Sequence, residues 1–204
     1  MSVVIYEFRE GAAWLTINRP EQRNALSDAV FDGLLEGLQQ AAKDNRVRAV
    51  VLTGAGDKAF CAGGDLRQMN EDGDTFAAHF SKAKLAQLFR ALWTLGKPTI
   101  ARVNGFCLAG GMGVALACDF VIASESSQFG IPEVKVGLWP YMITVPLLHA
   151  IPPKAALRLM LTGRRLSAAE GLQWGFVSEM VAAEELDRAV LRLLAELRGA
   201  APQC

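Results

Sequence analysis

The chain has 204 residues, 51% hydrophobic and 21% charged, and its 21 basic residues balance its 21 acidic ones. That composition excludes a disordered chain and a basic nucleic-acid binder, and no apolar run is long enough to cross a bilayer. Met1 to Arg9 alternates and carries Glu7, unlike a signal peptide, so a cytoplasmic protein without a membrane partner is expected.

Val3–Phe8 and Trp14–Asn18 read as a β-hairpin around Glu10-Gly11. A polar loop, Arg19 to Asn24, leads to Ser27, a helix N-cap, followed by Val30, Leu34 and Leu38 at helical spacing. Ala49–Thr53 is a short apolar strand of the parallel-sheet kind. A helix over about Thr75 to Leu95 ends at Lys97-Pro98, and Thr99–Val103 is another strand. An apolar helix at Gly111–Cys118 and a strand at Phe120–Ala123 continue the alternation, which argues for parallel strands with helical crossovers. The last third reads as mainly helical. Ser167 and Glu170 form a capping box, Leu186 to Leu197 an amphipathic helix, and Arg198 to Gln203 a fraying tail.

Cys61, Cys107, Cys118 and Cys204 lack metal-like spacing, and His79 and His149 are the chain's two histidines, so no metal site is expected. The first three read as buried free thiols. Chemistry is instead concentrated in two glycine-rich turns, Phe60 to Leu66 and Asn104 to Gly113. Each follows an apolar run and opens a helix-like stretch, so each can direct free backbone N–H groups outward. Two such turns converging would form a receptor for a developing oxyanion.

The ordered set of motifs resembles the crotonase family, also called the enoyl-CoA hydratase/isomerase family. The matching stretches are Asn18-Arg19-Pro20 with Asn24-Ala25-Leu26, Ala59 to Leu66, Val103-Asn104-Gly105, Ala109-Gly110-Gly111, Phe129 to Glu133, and Leu161 to Arg164. The resemblance implies an α/β fold, a spiral of ββα units over about residues 1–150 in one domain of 1–204. A helical C-terminal region over about 151–204 is shorter than the family's usual one. It further implies acyl-CoA thioester substrates, no cofactor beyond the coenzyme A carried by the substrate, and a homotrimer or dimer of trimers.

Residue by residue, the resemblance makes Gly64 and Gly110 the oxyanion-hole N–H donors for the thioester carbonyl. Arg23 to Ala25 and Ala62 to Leu66, including Asp65, look like the surface that holds coenzyme A. Glu133 occupies the position of a catalytic glutamate. It follows Pro132 in a non-helical stretch, where desolvation would raise its pKa toward the range of an acid/base catalyst.

Gly113 is the main departure. Family hydratases typically carry a second glutamate there, and two carboxylates flanking a water suit its addition across a C=C bond. One carboxylate suffices for a proton shuttle, so the expected reactions are isomerisation or weak hydration of an enoyl-CoA, with Glu133 as sole acid/base. Other thioester-enolate chemistry, such as decarboxylation, and a catalytically silent CoA-binding subunit are the alternatives. Asp119 reads as a structural cap. Tyr141 stands where dehalogenase-type relatives carry a nucleophilic aspartate. The bulky stretch Leu138 to Met142, with Trp139 and Tyr141, is expected to line an acyl pocket for a short or flat group.

Overall fold

The computed structural model describes residues 2–64 and 75–199. β1 (Val4–Arg9) and β2 (Ala12–Ile17) form the antiparallel hairpin. Glu10 and Gly11 both have positive φ, 51° and 72°, the backbone that a tight hairpin turn requires. β2 then pairs in parallel with β3 (Ala49–Gly54), and the sheet continues through β5 (Thr99–Val103), β7 (Phe120–Ser124) and β10 (Glu179–Val181). The helices between these strands are the crossovers that parallel pairing demands.

Strand alternation divides the core. Ala13, Leu15, Val50 and Leu52 face one side of this sheet, where α1 (Asp28–Lys43) contributes Val30, Phe31, Leu34 and Leu38. Ser27 caps α1 as its spacing predicts, its side chain accepting from Val30 N–H. Ala12, Trp14, Ala49 and Val51 face the other side and are covered by Leu186, Ala189, Val190 and Leu194. Those four lie on α7 (Leu186–Gly199), which therefore seals the back of the sheet.

A second, smaller sheet carries the glycine turns. It consists of β4 (Ala59–Cys61), β6 (Phe106–Leu108), β8 (Gln128–Gly130) and β9 (Arg165–Ser167). β4, β6 and β8 are parallel, and β9 returns antiparallel along β8. Three-residue strands are too short to show a period, so the sequence pattern missed them. β9 and β10 also interrupt the final third, whose sequence reads as mainly helical. Their hydrogen bonds to β8 and β7 are long-range and leave no local trace.

The remaining helices are α2 (Thr75–Trp93), α3 (Gly110–Leu116), α4 (Thr144–Ala150), α5 (Pro153–Thr162) and α6 (Ala168–Gln173). The capping box of α6 is present: the Ser167 side chain accepts from Glu170 N–H, and Glu170 accepts from Ser167 N–H at 2.9 Å. Arg198 and Gly199 belong to α7 rather than to a frayed tail, Arg198 reaching Glu10 at 3.5 Å. Residues 200–203 of that expected tail lie outside the described residues.

Candidate active site

The two glycine turns meet. A Cβ placed on Gly63 would lie 2.6 Å from Ala109 Cβ, and one placed on Gly111 would lie 2.4 Å from the Cys61 carbonyl oxygen. Close approach therefore excludes side chains at both positions, and Gly63 also has φ of 103°. Ala109 has φ 50° and ψ −129°, a strained conformation for a residue with a Cβ. Its N–H donates to Gly130 O at 2.8 Å, which holds the second turn to β8.

The first turn is held from behind by the loop that precedes α1. Ala62 N–H donates to Arg23 O at 3.0 Å, and Leu26 N–H donates to Gly63 O at 2.8 Å. Asn24 is fully buried at a left-handed φ of 56°, and its Nδ2 donates to Ala55 O and Ala59 O at 3.0 and 2.7 Å. Asn104 Nδ2 donates to Gly54 O and Gly56 O at 2.9 and 2.5 Å. Two buried asparagines thus satisfy carbonyls that the bending chain leaves without partners.

A cleft of about 350 Å³ opens at this junction. Ala62, Gly64, Gly110, Glu133, Trp139 and Tyr141 all line it. Among the described residues, neither the Gly64 nor the Gly110 N–H donates to another protein group. Arg23 is exposed and Ala25 buried, and neither lines the cleft; the Arg23 carbonyl supports the first turn from outside it. Asp65 and Leu66, the other expected substrate-binding residues, lie outside the described residues.

Glu133 sits in a 3-10 turn, Pro132–Val136, whose carbonyl of Glu133 accepts from Leu138 N–H at 3.0 Å. Its Oε2 is buried with no hydrogen-bond partner among the described residues. Burial pushes its pKa above the ordinary value of 4.5, partly countered by its own backbone N–H. A carboxylate so placed is costly to ionise and keeps an unused lone pair in a residue that lines the cleft, the condition of a proton-transfer group.

The position that resemblance gives to a second carboxylate is closed. Gly113 is buried in α3, and a Cβ there would lie 2.8 Å from Phe89 Cζ and 3.2 Å from Ile143 Cγ1. Phe89, on α2, and Ile143 are both buried. Their apolar atoms occupy the space that a glutamate would need, so loss of the carboxylate is accompanied by a filled wall rather than a void. Asp119 offers no replacement: its Oδ2 accepts from Thr99 N–H at 2.8 Å and from Thr99 Oγ1 at 2.7 Å. That is the structural role its sequence position suggests.

The thiols are equally unavailable. Cys61, Cys107 and Cys118 are free and buried. Burial pushes Cys61 up to about 12 and raises Cys107 and Cys118 as well, so none is a nucleophile at neutral pH. Leu138, Pro140 and Met142 line the cleft as expected, whereas Lys135, Ile143, Phe31 and Leu85 line it without a motif in the sequence that marks them. Phe31 and Leu85 lie on helices distant in sequence and resemble ordinary core positions, so no local signal could have found them.

Comparisons with known proteins agree with this architecture. The sequence pattern described as enoyl-CoA hydratase/isomerase matches residues 7–204. A solved enoyl-CoA hydratase from Mycobacterium smegmatis superposes with a TM-score of 0.94 at 32% identity, over 98% of this chain and 78% of that one. A solved carnitinyl-CoA dehydratase from Mycobacterium avium 104 gives 0.88 at 42% identity, over 99% and 78%. The fold is thus the crotonase fold of enoyl-CoA hydratases. The (E)-benzylidenesuccinyl-CoA hydratase of Thauera aromatica is 36% identical over 200 residues, 98% of this chain and 77% of that protein. The chain belongs to the enoyl-CoA hydratase/isomerase family, whose members act on acyl-CoA thioesters. It spans 65%, 77% and 61% of the length of three curated relatives that it matches. Among the described residues, no helix is long and apolar enough to cross a membrane.

Proposed function

We propose that the chain processes enoyl-CoA thioesters through an enolate, with Glu133 as its sole acid/base, and that isomerisation is its main reaction. The observation that carries this reading is the buried, unpartnered Oε2 of Glu133 in the same cleft as the Gly64 and Gly110 N–H groups. Coenzyme A enters as part of the substrate.

In a 3-enoyl-CoA, ionised Glu133 takes a proton from C2. The electron pair moves into the thioester carbonyl and forms a dienolate, whose oxygen accepts hydrogen bonds from Gly64 and Gly110. Protonated Glu133 then returns the proton to C4, and the double bond comes to lie between C2 and C3. The donors are fixed by backbone geometry, so they need little reorganisation as charge develops. Each such donor contributes about 2.7–4 kcal/mol of transition-state stabilisation. The raised pKa of Glu133 brings it nearer the operating pH, where one group can both accept and donate.

Hydration is the second reading, because relatives of this chain are named hydratases and dehydratases. Here Glu133 alone would activate the water, since the wall at Gly113 is apolar. Parallel assays of 3-enoyl-CoA isomerisation and crotonyl-CoA hydration, on wild type and Glu133→Gln, test both. Isomerisation that exceeds hydration and vanishes in the variant is expected. Isomerisation that survives the substitution would overturn the mechanism.

A further inference from the structure

Apart from Glu133, the cleft has a single charged side chain among its described lining residues, Lys135. Trp139, Tyr141, Leu138 and Met142 make the surrounding wall apolar and aromatic. Lys135 has no ion-pair or hydrogen-bond partner among the described residues, whereas Lys84 pairs with Asp32 at 2.8 Å and Lys97 donates to two carbonyls of α1 and its cap. Its stem is nevertheless held in place. A Cβ on Gly163, the left-handed cap of α5, would lie 3.1 Å from Lys135 Cε and 3.2 Å from its Cγ, so this glycine leaves the bed on which the stem lies.

Lys135 and Glu133 form no ion pair, although they stand two residues apart on one 3-10 turn. In such a turn, successive residues are about 120° apart, so side chains at this spacing diverge. Burial, not a neighbouring cation, sets the direction of the Glu133 shift, which agrees with a separated ammonium group. The cation is therefore placed to meet something other than the catalytic carboxylate.

We infer that Lys135 is a specificity residue that recognises an anionic group on the acyl part of the substrate, so that the preferred acyl-CoA carries a second carboxylate beyond an apolar or aromatic segment. This inference rests on the acyl-CoA reading of the cleft. Lys135 is exposed, so its ammonium group would attract a carboxylate by an amount typical of an open surface, up to about 1 kcal/mol or about fivefold in affinity, and the attraction weakens with salt.

Equilibrium binding of glutaryl-CoA and pentanoyl-CoA tests it. Both are saturated and differ at the distal end of the acyl chain, and coenzyme A is common to both. Wild type should bind glutaryl-CoA about fivefold more tightly at low salt. That ratio should fall toward one in Lys135→Gln, invert in Lys135→Glu, and shrink as salt rises. Equal affinities in wild type, or a ratio that survives Lys135→Gln, overturn the inference while leaving the acyl-CoA reading intact. If Lys135→Gln weakens both ligands in proportion, Lys135 serves the coenzyme A end and the inference fails. Binding of neither ligand overturns the acyl-CoA reading and this inference with it.

Discussion

The two sources of the cleft wall are built on opposite principles. The glycine turns contribute backbone: Gly63 and Gly111 are packed so closely against Ala109 and Cys61 that neither position admits a side chain. The segment from Pro132 to Ile143 contributes side chains, with Tyr141 70% and Trp139 38% exposed. Donors that stabilise a developing charge must be fixed, and backbone in contact with backbone is the stiffest way to fix them. Groups that choose a substrate can vary in size without moving those donors, so they belong on the exposed segment. Glu133 joins the two, being part of the second segment, half-buried, and lining the same cleft as the first.

The largest effect expected from breaking this arrangement is at the junction. Glu133→Gln should reduce isomerisation by about 10²–10⁴-fold with acyl-CoA binding retained, as read by steady-state kinetics and ligand titration. Gly110→Pro removes one N–H at the first residue of α3 and also disfavours the Ala109 conformation before it, so turnover should fall by at least about 10²–10³-fold. Circular dichroism would confirm that the variant is folded.

The pH profile gives the next sharpest test. Because burial raises the Glu133 pKa, the acid limb of kcat/KM should fall above 4.5, with activity lost as pH drops through the raised value. Any activity remaining in the Glu133→Gln variant should lack that limb. A stability effect of the same origin runs the other way. A raised carboxyl pKa stabilises the fold below its unfolded value and loses that contribution as pH rises through the folded one. Glu133→Gln should therefore raise Tm more at pH 8 than at pH 4, as read by thermal melts at the two pH values.

The smallest change tests the closed wall. Gly113→Ala should cost about 1–3 kcal/mol in chemical denaturation, because its methyl meets Phe89 and Ile143. Lack of any destabilisation would show that the wall can yield, and that a second carboxylate could be accommodated there.

Much of this was legible in the chain. The Ser27 cap, the Ser167–Glu170 capping box, the hairpin turn and the apolar strands are local patterns, and local sterics and hydrogen bonds dictate them. The glycine turns and Glu133 were legible because their motifs are ordered along the sequence. The short strands of the small sheet were not, since each is defined by partners far away in the chain.

What the sequence determined by itself is the chemical inventory: a carboxylate after Pro132, no carboxylate at 113, and two turns rich in glycine. Tertiary structure decided what that inventory amounts to. Contact between Gly63 and Ala109 brings the turns together, burial leaves Glu133 Oε2 without a partner, and Phe89 and Ile143 fill the space beside Gly113. None of these is a property of a segment. Each depends on which atoms, remote in sequence, exclude water from the same few ångströms.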